Sequence, residues 1–104
     1  MALQQLAITL SNATPTQLVT DTVITDPTTG EKNYTFNSSH ILIQNNDATA
    51  VVYLGTSAVS SSTYGTKLPA GSSVSMDNVG GQIASQLYAI SSVNNSVVNI
   101  LVVA

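Results

Sequence analysis

The sequence predicts an all-β domain, an antiparallel β-sandwich or small barrel of about seven to eight short strands. Three observations predict it. Apolar runs rich in Val, Ile, Thr and Tyr recur along the chain, separated by Pro, Gly, Asn and Ser clusters at intervals of about 8–12 residues. Within several runs the side chains alternate between apolar and polar, the two-residue period of a strand. No stretch sustains helical periodicity for more than a turn, and residues 80–86 have room for one short helical turn at most.

Each element has its own justification. Leu6, Ile8 and Leu10 alternate with polar or small residues, so residues 5–10 read as a strand, ended by the turn at residues 11–16. Residues 17–25 read as a second strand, closed by the Pro27 and Gly30 turn signals. Residues 31–37 follow, with Tyr34 and Phe36 two apart and hence on one face. Residues 37–39 read as a bend.

Ile41 to Ile43 and Val51 to Leu54 flank a polar link at residues 45–49, which reads as a β-hairpin with a loop of about five residues. Neither of these two strands is apolar on one face alone. Both are therefore expected to be covered on two faces, by a second sheet or by a partner subunit. Residues 56–66 read as a surface loop anchored by Val59 and Tyr64. Leu68, Pro69 and Gly71 form a turn ahead of a strand at residues 73–76, and a further turn cluster spans residues 77–81. Residues 86–91 and 97–103 read as the last two strands, with Asn94 and Asn95 marking the turn between them. The final run is nearly all apolar, as in a central strand.

A chain of 104 residues holds one domain, residues 1–104, around one core. It has no cysteine, which excludes disulfides, thiolate nucleophiles and zinc–thiolate sites. Charged residues make up only 7% of the chain, against about 25% in ordinary domains. The cations are Lys32 and Lys67, with no arginine. No basic patch for nucleic acid or anionic lipid can be built from two lysines, so neither partner is expected. The surface must be largely neutral and hydroxyl-bearing, which suits a protein held against neighbours. No apolar run approaches the ~20 residues of a membrane span, and the first residues lack the basic and apolar regions of a signal peptide. The four Asn-x-Ser/Thr patterns, at Asn12, Asn33, Asn37 and Asn94, are then chance matches in an Asn/Ser/Thr-rich chain.

No catalytic set assembles from the residue pattern. His40 is the single histidine, and its nearest carboxylate in sequence is Asp47. A lone strand histidine is a structural residue before it is a metal ligand, so no metal and no cofactor are expected. Asp21, Asp26, Glu31, Asp47 and Asp77 lie in or beside turns, where carboxylates cap backbone N–H groups. There is no Gly-x-Ser-x-Gly elbow, and no phosphate-cradling lysine follows Gly80 and Gly81. The expectation is a protein that is not an enzyme.

Four motifs carry a resemblance. Ile41, Ile43 and Asn45 form an Ile-x-Ile-x-Asn strand. Val52-Tyr53-Leu54-Gly55 follows, then Leu68-Pro69-Ala70-Gly71, then Leu87-Tyr88-Ala89-Ile90-Ser91 near the end. From Ile41 onward the chain resembles a family of small tailed-phage virion proteins, with one departure, the extra Ala70 between Pro69 and Gly71. The stretch before residue 37 has no counterpart in that pattern.

The resemblance implies a virion structural role made in the bacterial host cytoplasm: a capsid decoration (cement) protein, a head fibre or a small tail-associated module. It implies the major capsid protein as partner at the outer capsid surface, and a homo-oligomer, with a trimer at three-fold positions as the expected form. Residues 1–10 are the candidate contact arm, through Leu3, Leu6, Ile8 and Leu10. The alternatives are a tail or baseplate module and a carbohydrate- or receptor-binding module, in which Tyr64 is the candidate exposed-loop contact.

Overall fold

The computed structural model describes residues 3–20, 23–34, 40–78 and 83–103. Among these residues ten strands run in the order β1 (Leu3–Leu10), β2 (Thr16–Gln17), β3 (Val23–Thr25), β4 (Lys32–Tyr34), β5 (His40–Asn45), β6 (Val52–Gly55), β7 (Thr66–Leu68), β8 (Ser73–Asp77), β9 (Tyr88–Ser91) and β10 (Ser96–Val103). They form two four-stranded antiparallel sheets, β1-β10-β5-β8 and β2-β9-β6-β7, and a small β3-β4 hairpin. The all-β expectation holds in its sandwich form, and there is no closed barrel.

The pairing is nested. β1 pairs with β10, β2 with β9, β5 with β8 and β6 with β7, while β10–β5 and β6–β9 join these pairs side by side. One long antiparallel ribbon is thus folded over so that its pairs fall alternately in the two sheets. With the β3-β4 hairpin set aside, this is jelly-roll topology.

The hairpin expected between β5 and β6 is not there. β5 lies between β10 and β8, and β6 lies in the other sheet between β9 and β7, so residues 46–51 cross from sheet to sheet. A polar link between two apolar runs looks the same in either case; the difference lies in which partners each strand takes. At the C-terminal end the expected turn at Asn94 and Asn95 is present, and it joins strands of different sheets, β9 and β10. There Asn95 adopts φ 64° and donates its N–H to the Leu10 carbonyl at 2.9 Å. Leu10 also pairs with Ser96 in the ladder, so the arrangement is a bulge with a left-handed first residue, which asparagine tolerates.

The strand expected at residues 17–25 is instead β2 and β3, with Leu18 and Val19 fully buried after β2. The Pro27–Gly30 turn is present: Val23 to Thr25 pair with Tyr34 to Lys32 around it. Phe36, the bend at 37–39, Gly80 and Gly81 lie outside the described residues. The short helical turn appears as a 3-10 turn, Ala84–Gln86. Its first N–H groups are accepted by the buried Asn78 side chain, whose Oδ1 lies 2.9 Å from Ile83 N and 3.0 Å from Ala84 N.

The core lies between the sheets and is aliphatic. Leu10, Leu18, Ile41, Ile43, Val52, Leu54, Leu68, Val98, Ile100 and Val102 fill it. β5 shows how the sequence dictates this. Ile41, Ile43 and Asn45 point inward and are buried, whereas His40, Leu42 and Gln44 are exposed. The expectation that β5 is covered on both faces is therefore corrected for a single chain: its outer face is open. β10 is central, as expected, and its outward side chains Asn99, Leu101 and Val103 are half-buried.

Candidate interaction surface

The outer face of the β1-β10-β5-β8 sheet can be written from the strand registers. One row across it is Leu3, Val103, His40 and Asp77; the next is Gln5, Leu101, Leu42 and Ser75; the third is Ala7, Asn99, Gln44 and Ser73; Thr9 and Val97 follow. Leu3 is 62% exposed, Leu42 39% and Val97 40%. Gln5, Ala7, Leu42, Gln44, Asn99 and Leu101 line a shallow hollow of about 480 Å³ on this face. Its lining mixes the aliphatic Ala7, Leu42 and Leu101 with the side-chain amides of Gln5, Gln44 and Asn99, so it offers apolar contact and neutral hydrogen bonds. The titratable side chains in these rows meet at a corner, where His40 Nδ1 lies 3.4 Å from Asp77 Oδ1 with both side chains largely in solvent. Such a pair adds little to stability.

The candidate arm is an integral strand. Leu10 is 1% exposed and belongs to the core, and Leu6 and Ile8 pack against that core from the inward face of β1. Of the four residues singled out, Leu3 alone stands in solvent. β1 is an edge strand whose far side carries no strand among the described residues. The bulge at Asn95 sets its orientation. Because Leu10's carbonyl points to β10, the backbone groups of the even-numbered residues do so too, and those of Leu3, Gln5, Ala7 and Thr9 point away from the sheet.

Tyr64 is 42% exposed, but its ring leans on Tyr53 with centroids 5.0 Å apart and planes at 43°. Val59, at the other end of the same loop, is buried against Gly55: a Cβ at Gly55 would meet Val59 Cγ2 at 3.1 Å. Both expected loop anchors are thus in contact with β6. The loop is also held by the Ser60 hydroxyl, whose Oγ accepts from Thr63 N at 3.0 Å, and by a backbone bond from Gly65 N to the Leu54 carbonyl at 2.8 Å.

Asp26 and Asp47 act as turn caps, while Asp77 ends β8 and Asp21 lies outside the described residues. Asp26 Oδ1 accepts from Thr28 N at 2.8 Å, and Asp47 Oδ1 accepts from Thr49 N and Ala50 N, both at 2.9 Å. These backbone donors favour the charged form and hold the Asp47 carboxyl below its ordinary 3.8. Among the described residues, no three His, Asp or Glu side chains come together as a metal-binding group.

Asn45 was legible only as part of a motif, and its role needs the structure. It is fully buried, and its amide donates to the Ala50 carbonyl at 2.8 Å and the Leu68 carbonyl at 3.0 Å. Its Oδ1 accepts from Asp47 N at 3.2 Å. One side chain therefore ties β5 to the crossover and to the end of β7. A second hollow of about 310 Å³ lies at the opposite edge, between Leu54, Val74, Met76, Ile83 and Leu87. It is almost wholly apolar and contains no titratable group.

Comparison with protein-family models, curated proteins and solved structures returned no match.

Proposed function

We propose that this chain is a structural protein of a tailed-phage virion, and specifically a capsid decoration protein that binds the outer surface of the head and stabilises it. The observation that carries the proposal is the outer face of the β1-β10-β5-β8 sheet, an almost uncharged surface of leucines, valines and amides. A surface of this chemistry gains from contact with a neighbouring protein, at about 25 cal/mol per Å² of apolar area before association costs. Repetition of one weak contact over a symmetric shell then gives strong overall attachment. The motifs behind the resemblance support the same reading, because all four fall on scaffold: β5, β6, the β7–β8 turn, and Leu87 with β9. Adhesion asks for no acid, base or nucleophile.

The test is copy number on purified particles. Hundreds of copies on the head, and heads that lose heat resistance when the gene is removed, are expected. A handful of copies at the tail would move the assignment to a baseplate module, and absence from particles would sink the virion reading. The carbohydrate alternative rests on Tyr64, whose ring is partly exposed. A glycan-array signal abolished by Tyr64→Ala would favour it over adhesion to a capsid.

A further inference from the structure

Among the described residues the sandwich has four edge strands, and three of them are built to refuse a neighbour. β2 is two residues long and follows directly on Pro15. β7 is three residues long, carries Lys67 and runs into Pro69. β8 is five residues long and carries Asp77. Short length, charge and proline are the usual means by which proteins blunt an edge against strand pairing. β1 has none of them. It is eight residues long, reads LQQLAITL, and contains no charge and no proline.

We propose that β1 is a self-association edge, at which a second copy of this chain adds its own β1 antiparallel across a two-fold axis. The outward backbone groups of Leu3, Gln5, Ala7 and Thr9, which no described strand pairs, form a row to which an extended strand can add. Among extended strands, a second copy is the one whose chemistry the structure describes. It is neutral along its whole length, so no like charges face each other across the seam between two copies.

The register follows from the faces. A two-fold perpendicular to the sheet keeps inward residues opposite inward residues only if the axis passes through a residue. With the axis at Ala7, the Ala7 N–H and carbonyl of one copy pair with those of the other. Leu6 then faces the second copy's Ile8, and Gln5 faces its Thr9. Leu6 and Ile8 are the inward side chains of β1 that the core leaves half-covered. This register covers them with each other and places the smallest side chain of the strand on the axis. The product is a continuous sheet of two four-stranded halves, within the usual size of twisted sheets. The overlap of residues 4–10 is roughly 24 Å long, narrower than a standard interface, so the dimer is expected to dissociate on dilution. A two-fold replaces the three-fold expected from the resemblance.

The chain's lack of cysteine provides the experiment. Ala7→Cys, oxidised at high protein concentration, is expected to give a disulfide-linked dimer. Ser75→Cys, equally exposed on the outer face but on β8, is expected to stay monomeric under the same conditions. Ala7→Lys is expected to keep the circular dichroism spectrum and raise the dimer dissociation constant by roughly tenfold or more. Cross-linking at both positions or at neither, an unchanged mass distribution for Ala7→Lys, or a wild-type mass of three chains would overturn the proposal. Each of these results leaves the copy number on particles unaffected, so the virion assignment stands or falls separately.

Discussion

At the crossover between β5 and β6, Asn45 is fully buried and bonded to Ala50, Leu68 and Asp47, and Asp47 in turn caps Thr49 and Ala50. Along β1, by contrast, the backbone groups of Leu3, Gln5, Ala7 and Thr9 are turned outward, with no described strand beside them. Both regions are uncharged or nearly so, and both belong to strands of the same sheet or its exit. The difference teaches where polar groups serve the fold and where they are left for another chain. A buried polar group must be bonded internally, because desolvating it without a partner costs about 1–3 kcal/mol. An edge in water carries no such penalty, and its open row costs the monomer little while defining what can be added to it.

The comparison is broken most severely by removing β1. Deleting Leu3–Leu10 takes Leu10 out of the core and turns β10 into an edge, exposing the flank of Val98, Ile100 and Val102. The shortened chain is expected to lose its cooperative urea transition. A deletion variant that still unfolds cooperatively at nearly the wild-type midpoint would restore the picture of a detachable arm.

Single substitutions sharpen it further. Ile43→Ala, on the inward face of β5, is expected to cost about 2–5 kcal/mol. Leu42→Ala, its neighbour on the outward face, should stay within about 0.5 kcal/mol. Equal losses at the two positions in a urea titration would mean that the outer face is covered in the free protein. Asn45→Ala leaves the buried carbonyls of Ala50 and Leu68 without their donor and is expected to cost about 2–5 kcal/mol. A loss below about 1 kcal/mol would show that water enters and replaces the amide.

Much of this contrast could be seen in the residues, and the part that could not has a physical cause. Alternation identified β1 and β8 as strands, an apolar run identified β5, and Pro27 with Gly30 identified the β3–β4 turn, because these signals are local. The partition into two sheets was not legible at β5–β6, since a hairpin and a crossover differ only in distant partners. Ile41, Leu42 and Ile43 in succession did break the one-sided pattern, and that break marked a real feature: Leu42 faces out beside Leu101. That β1 is an edge depends on β10 closing from the far end of the chain, which no local pattern records. Leu6, Ile8 and Leu10 therefore looked like an apolar arm when they are the inward face of a sheet.

The smallest effect concerns Asp47, where the tightly bonded crossover meets solvent. Its carboxylate accepts the N–H groups of Thr49 and Ala50 and the Thr49 hydroxyl, and the two backbone bonds lower its pKa below 3.8 in the folded chain. The unfolded chain lacks those donors and binds a proton more readily. Stability from this group is therefore complete above the unfolded value and lost as the pH falls through the folded one. Unfolding midpoints measured from about pH 6 down to about pH 2 should fall in acid for the wild type, and fall less for Asp47→Asn, which has no proton to take up there. Parallel acid limbs for the two proteins would mean that the crossover is already open before Asp47 titrates, and that its order comes from Asn45 alone.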